Sequence, residues 1–167
     1  MNASFDDVVL PHLGAARRLA RWLMRNEHDA EDVVQEASLR ALRYFTTFTG
    51  GDGRAWFLTI VRNACGTRRT RSVNQPMDPF DEHRHSDGRA DNDPETLLLN
   101  ADAARTIDRA MRRLAGRHRE LIRLRELQGL SYRQMSEVMG VPMGTVMSGL
   151  SRARQAFRGA LDEQLTR

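Results

Sequence analysis

The sequence of 167 residues has little cysteine and few aromatic residues, and both shortages limit what the chain can be. Its single cysteine, Cys65, excludes an internal disulfide and a metal site built from cysteines alone. Aromatic residues make up only 6% of the chain, so any core must be mostly aliphatic. No apolar run approaches the roughly 20 residues that span a bilayer, and the N-terminus lacks the basic start of a signal peptide. We therefore expect a soluble, cytoplasmic protein without membrane insertion.

Acidic residues are concentrated in one segment, residues 78–95. This segment has almost no aliphatic residues and contains seven acids against two arginines, and thus a net charge of −5. Since the whole chain carries +4, the remaining residues carry +9, which favours a polyanionic partner. The composition predicts a flexible acidic linker at 75–96 that joins two domains, one at 1–74 and the other at 97–167.

The N-terminal domain is predicted to be wholly helical. Apolar residues recur every three or four positions in its first helix, which Pro11 either kinks or begins. A second helix starts near Asp29, and the residues that point away from its apolar face are Asp32, Glu36, Leu39 and Arg43. The charges alone would suit a solvated surface. A leucine set among them favours a protein contact, and both interpretations stay open at this point.

A glycine loop and an arginine cluster follow in the same domain. Residues 46–53 include three glycines, and the next helix carries Arg62 and Asn63 and then further arginines, among them Arg68 and Arg69. Cations near a helix C-terminus complement its dipole, but this cluster exceeds that need. Arginines close to aromatic rings are typical of proteins that bind single-stranded nucleic acid.

The C-terminal domain is predicted to contain a helix-turn-helix. Apolar steps from Ala103 to Leu114 and from Leu121 to Leu127 predict two helices before it, and both Ile107 and Leu127 are expected on their buried faces. The following are the signals for the motif itself: a capping box at Ser131 and Gln134, a stop at Gly140, a turn at Val141 and Pro142, and a longer helix from about Gly144. A plain helical hairpin is the alternative.

The last helix places polar residues opposite its apolar stripe. Thr145, Ser148 and Arg152 can bond phosphates or base edges from there. Gly149 lies beside the stripe, where we expect its missing side chain to let a DNA groove wall or a partner come close. Met147 lies on the flank and suits a protein contact or a gap between helices. These residues predict a DNA-binding helix whose hold on DNA is weak.

Together these motifs resemble the extracytoplasmic-function sigma factors of bacteria, the smallest promoter-recognition subunits of RNA polymerase. The segments DAEDVVQEASLRAL, RAWFLTIVRNAC and SYRQMSEVMGVPMGTVMSGLSRAR occur in the family's order and spacing, and the match covers nearly the whole chain outside the linker. The resemblance implies an all-α fold of two small helical domains, sigma domain two and sigma domain four, with no domain between them. It also implies core RNA polymerase and promoter DNA as partners, an anti-sigma factor that holds the protein inactive, and no enzymatic activity.

The resemblance also assigns residues to partners. One motif of the family faces the clamp helices of the largest polymerase subunit. The residues that match it are Asp29, Asp32, Gln35 and Glu36, and Leu39 lies beside them on the outward face. Loop 46–53 matches the loop that captures an unstacked base of the minus-ten element. The helix after Pro142 matches the one that enters the major groove of the minus-thirty-five element. The residues expected to contact DNA are Arg62, Asn63, Arg68, Arg69, Arg133, Thr145, Ser148, Ser151, Arg152 and Arg154. Many relatives have basic residues where this chain has Met147 and Gly149, so we expect greater reliance on phosphate contacts.

Two other classes of protein fit parts of the sequence. A free-standing repressor or a response-regulator output domain would also carry a helix-turn-helix, but neither a dimerisation heptad nor receiver strands are recognisable. A nucleic-acid enzyme would need clustered carboxylates or a nucleophile with its base, and the acids at 29–36 lack the glycine of a metal loop. His83 and His85 in the linker would allow a metal site, but solvated histidines are the simpler interpretation, so we expect neither metal nor cofactor.

Overall fold

The computed structural model describes residues 3–72 and 94–166, and every regular element within these ranges is helical. The all-α prediction is therefore confirmed. Contacts divide the chain into two compact units. No helix in the described ranges is long and apolar enough to cross a membrane. Most of the predicted linker, with His83 and His85, lies outside the described residues.

Within residues 3–72 the helices are α1 (Phe5–Val9), α2 (Leu13–Leu23), α3 (Glu27–Tyr44) and α4 (Gly53–Ser72). A 3-10 turn, Leu10–His12, separates α1 from α2 at the proline that interrupts the pattern. Helix α3 starts two residues before the predicted Asp29, because the side-chain oxygen of Asn26 accepts a hydrogen bond from the Asp29 N–H at 2.7 Å and caps the helix there.

The N-terminal unit is held by an aliphatic core in which α2, α3 and α4 pack against one another. Leu19, Val33, Phe57 and Leu58 are fully buried in it. Helix α1 packs on α4, and the close approach requires Gly53, because a Cβ at that position would lie 2.8 Å from Val8 Cγ1. This packing fixes the start of α4, and with it the end of the glycine loop.

Within residues 94–166 the helices are α5 (Pro94–Arg112), α6 (Gly116–Ile122), α7 (Tyr132–Met139) and α8 (Met143–Leu165). Helix α5 thus begins inside the predicted linker. Both α5 and α6 pack against α8. The capping box before α7 is confirmed: Ser131 N–H donates to Gln134 Oε1 at 2.9 Å, and Gln134 N–H donates to Ser131 Oγ at 3.1 Å. Gly140, with φ +64°, ends α7 as predicted.

Three predicted core positions of this unit are wrong, the first being Ala103, which is exposed. Ile107 is 49% exposed, and the buried face of α5 is formed nearer its end by Ala110 and Met111. Leu127 is 60% exposed, whereas Gln128 is buried. The cause is a π-helical turn at Arg123–Leu127, in which the N–H of Gln128 bonds the carbonyl of Arg123 five residues earlier. A π turn holds more residues than an α turn, so the helical period used for the prediction no longer applies.

Candidate protein and nucleic-acid interfaces

The outward face of α3 combines acidic residues with exposed leucines. Opposite its buried alanines and valines, Asp32 and Glu36 are half-exposed and Gln35 is exposed. Leu39 is 64% exposed and Leu42 is 56% exposed. Leu42 was not predicted, although its spacing of three from Leu39 is the signal that could have found it. An acidic face with two exposed leucines suits a protein partner better than solvent.

An arginine from α4 lies against the start of this face. The guanidinium of Arg68 donates to Asp29 Oδ1 at 2.8 Å and to Asp32 Oδ2 at 3.3 Å. The hydrogen bond that Arg68 donates to Asp29 is the largest cause that raises the pKa of Arg68. Arg68 was grouped by sequence with the DNA-contacting residues of α4, and the structure places it beside two residues of the predicted polymerase contact. The pairs join the first turns of α3 to the last turns of α4.

Aromatic rings anchor the loop between α3 and α4. Phe45 and Phe48 stack with centroids 6.0 Å apart, and Trp56 lies 5.2 Å from Phe48. Gly50 and Gly51 have φ of 84° and 126°, a region that side-chain-bearing residues avoid, so the loop needs glycine at both positions. The backbone conformation of this loop is therefore set by its glycines and by the aromatic rings that pack beside it.

The predicted DNA contacts of α4 follow this loop along one helix. Arg62 is half-buried, and Asn63 and Arg69 are exposed. Asp52 caps the helix through its Oδ1, which accepts from the Ala55 N–H at 2.9 Å. Arg62 and Asn63 thus lie on a helix whose first turn is fixed by the loop itself.

The predicted DNA contacts of the C-terminal unit lie along α8, with one on α7. Ser148, Ser151 and Arg152 are exposed and Thr145 is half-exposed, opposite the buried stripe of Val146, Leu150 and Ala153. Arg133 is exposed on α7. Met147 is 51% exposed on the flank of the same helix. The structure thus gathers most of these predicted contacts on the exposed side of one helix.

Arg154 differs from the other predicted contacts on α8. Its Nε donates to Glu126 Oε1 at 3.0 Å, and this hydrogen bond is the largest cause that raises the pKa of Arg154. The ion pair links α8 to the π-helical turn. A structural role inside the unit therefore accompanies any contact of Arg154 with DNA.

Gly149 does not face a DNA groove, which corrects the expectation from sequence. It is buried in the apolar stripe of α8, and a Cβ built on it would lie 3.0 Å from Leu121 Cδ1 of α6. Leu121 is itself 1% exposed. The absent side chain therefore allows α6 to pack on α8, and the close neighbour belongs to the same unit.

Among the residues that the structure describes, no group of His, Cys, Asp and Glu is arranged to hold a metal ion. Three of the acids at 29–36 pair with arginines instead. Asp29 and Asp32 pair with Arg68, and Glu36 pairs with Arg40. These acids of α3 thus form ion pairs at the surface of the helix.

Comparison with known proteins identifies both units. The model for Sigma-70 region 2 matches residues 8–73, and the model for Sigma-70, region 4 matches residues 104–157. The chain is 33% identical over 139 residues to the ECF RNA polymerase sigma-E factor of Escherichia coli, across 77% of this chain and 72% of that protein. The chain belongs to the extracytoplasmic-function (ECF) sigma factors. It is a transcription initiation factor and not an enzyme, as the sequence predicted.

Further relatives extend the likeness along the chain. The RNA polymerase sigma-H factor of Pseudomonas aeruginosa is 30% identical over 175 residues, across 97% of this chain and 88% of that protein. The ECF sigma factor SigE of Mycolicibacterium smegmatis is 30% identical over 158 residues, and this chain spans 62% of its length.

Solved structures show the same fold. The sigma factor RpoE of Bartonella quintana, solved in complex with the anti-sigma factor NepR, matches with a TM-score of 0.72 and 26% identity, across 95% of this chain and 96% of that one. CnrH, solved with the cytosolic domain of CnrY, matches with a TM-score of 0.59 and 24% identity, across 95% and 88% of the two chains.

Proposed function

We propose that this sigma factor binds core RNA polymerase through the acidic face of α3 and directs initiation at promoters with α4, its preceding loop and α8 on the DNA. The observation that carries the proposal is the pairing of two units, one of region 2 and one of region 4, with an exposed acid-and-leucine face on the first. Since the protein acts with core polymerase on promoter DNA, we propose that it acts in the cytoplasm. Promoter-dependent RNA synthesis by core polymerase, with and without the purified protein, tests it.

The face of α3 fits a protein contact of mixed character. Asp32 and Glu36 offer charges, and Leu39 and Leu42 offer apolar area whose removal from water favours association. Exposed leucines offer nothing to phosphate groups, and the carboxylates do not attract them. The α3 face therefore suits the polymerase, and the arginine-bearing helices suit the promoter.

An anti-sigma factor is the second partner that we infer. One structural neighbour, the sigma factor RpoE of Bartonella quintana, was solved in complex with such a partner, the anti-sigma factor NepR. The exposed leucines of α3 and Met147 of α8 provide apolar surface that a protein can cover. Covering either surface would block initiation.

Arg62→Ala and Asn63→Ala should each reduce open-complex formation more than initial promoter binding. Both residues follow the loop that matches the base-capturing loop of the family, where separated strands need stabilising. Permanganate footprinting measures this directly, because it reports unpaired thymines. If both variants showed the same thymine reactivity as the wild type, neither residue would take part in strand separation.

Arg68→Ala and Arg69→Ala should separate the two interfaces. The guanidinium of Arg68 lies within 3.3 Å of Asp29 and Asp32, so its removal should weaken core binding through α3. Arg69 is exposed and one residue away, and its removal should weaken promoter binding while core binding stays intact. Core affinity and promoter affinity of the holoenzyme are measured for each variant. If Arg68→Ala weakened promoter binding but not core binding, Arg68 would be a DNA contact, as the sequence predicted.

A further inference from the structure

We propose that exposed arginines of α2 form an additional phosphate-binding surface that contacts promoter DNA beside the minus-ten element. This inference rests on the proposed function, since promoter DNA must reach the N-terminal unit. The surface, here called the α2 arginine face, consists of Arg17, Arg18 and Arg21, with Arg25 just beyond the end of the helix. None of these residues was singled out from the sequence.

The arginines share one side of α2. At about 100° per residue, Arg17, Arg18 and Arg21 fall within about 100° of the helix circumference. The opposite side is buried and consists of Ala15, Ala16, Leu19 and Ala20. Helix α2 contains no acidic residue. The arginines therefore form a continuous cationic strip that their own helix leaves uncompensated.

Neighbouring elements compensate little of this charge. Arg21 pairs with Glu27 at 3.3 Å, at the start of α3. Arg17, Arg18 and Arg25 are exposed and have no acidic partner among the described residues. Like charges one helical turn apart repel each other and cost stability. A polyanion bound along the face would relieve this repulsion.

The face begins beside the loop expected to meet the minus-ten element. Gly53 is the last residue of the loop and the first of α4, and a Cβ on it would lie 2.8 Å from Val8 Cγ1 of α1. Val8 precedes α2 by five residues, and both α1 and α2 pack on α4, so the start of α2 lies close to the end of the loop. DNA held by that loop would have the α2 arginine face within reach.

The sign of the charge selects DNA over polymerase as the occupant. Polymerase is expected on α3, whose exposed surface is acidic at Asp32 and Glu36. The adjacent α2 face is basic, and arginine binds phosphate oxygens in a planar, paired geometry. A basic face attracts a polyanion, and DNA is the polyanion among the expected partners.

The test is the salt dependence of promoter binding by holoenzyme that carries Arg17→Ala with Arg18→Ala. Each lost phosphate contact lowers the slope of log K against log salt by about 0.9, so the slope should fall by about two. The control is Arg109→Ala, which removes an exposed arginine of α5 and should leave the slope unchanged. Alanine is the best helix former, so α2 should keep its fold.

Two results would overturn the proposal. An unchanged slope would mean that the arginines are merely solvated, and a loss of core binding would mean that the face binds polymerase or another protein. The wild-type holoenzyme in the same titration tests the proposed function separately. If the wild type binds its promoter and the variant has the same slope, only the α2 arginine face is disproved.

Discussion

Asp32→Arg combined with Glu36→Arg should abolish binding to core RNA polymerase while the protein stays folded. Both carboxylates are half-exposed and point away from the buried side of α3, so neither supports the core. Like charges placed across an interface cost several kcal/mol, and about 1.4 kcal/mol corresponds to a tenfold loss of affinity. We therefore expect a loss of at least about 100-fold. Co-elution with core polymerase and promoter-dependent transcription both measure it.

The control for this experiment must also break an ion pair on the protein's own surface. Asp32 pairs with Arg68 and Glu36 pairs with Arg40, so the double reversal also breaks two surface pairs. Glu163→Arg reverses an exposed acid that pairs with Arg113 in the other unit, and it should leave core binding intact. Circular dichroism shows whether each variant is folded. A folded double variant that still co-elutes and transcribes normally would show that the polymerase contact lies elsewhere.

Local sequence signals predicted the features that depend on neighbours in the chain. The capping box of Ser131 and Gln134, the stop at Gly140 and the interruption at Pro11 all depend on residues within one turn of each other. The predicted apolar stripe of α8 is confirmed at Val146, Leu150 and Ala153, which are all buried. Such interactions are encoded locally, so spacing and residue type were enough to find them.

Features that depend on distant residues were not predictable in this way. Arg68 and Asp29 are 39 positions apart, and their hydrogen bond depends on how α4 packs on α3. Residue type alone grouped Arg68 with the DNA contacts because arginine suits phosphate and carboxylate equally well. The exposure of Leu127 depended on a π turn that leaves no mark on the apolar pattern. Packing between helices decides these cases.

In the N-terminal unit, acidic and basic surfaces lie on different helices. Asp29, Asp32 and Glu36 give α3 an acidic surface, whereas the charged residues of α2 are all basic. Arg68 spans this division, because it comes from α4 and binds the acids of α3. One small unit can thus hold a protein on one helix and DNA on its neighbours, with little competition between the two partners.

Gly149→Arg should destabilise the C-terminal unit, although arginine is the better helix former. A Cβ at this position would lie 3.0 Å from Leu121 Cδ1, and the remaining side chain would have to enter the contact between α6 and α8. Overpacking a core costs about 1–3 kcal/mol, and burying an unpaired cation adds to this. The gain of about 1 kcal/mol in helix propensity is too small to offset these costs. Denaturant unfolding measures the net change.

Gly159→Arg on the same helix is the matched control. Nothing lies within 4 Å of a Cβ built on Gly159, so the propensity gain of about 1 kcal/mol should appear there as added stability. The same substitution should therefore have opposite signs at two glycines ten residues apart in α8. Promoter binding by Gly149→Arg should weaken along with the stability of the unit. Tighter binding with a steeper salt dependence and unchanged stability would mean that residue 149 meets DNA, and that α6 does not pack over it.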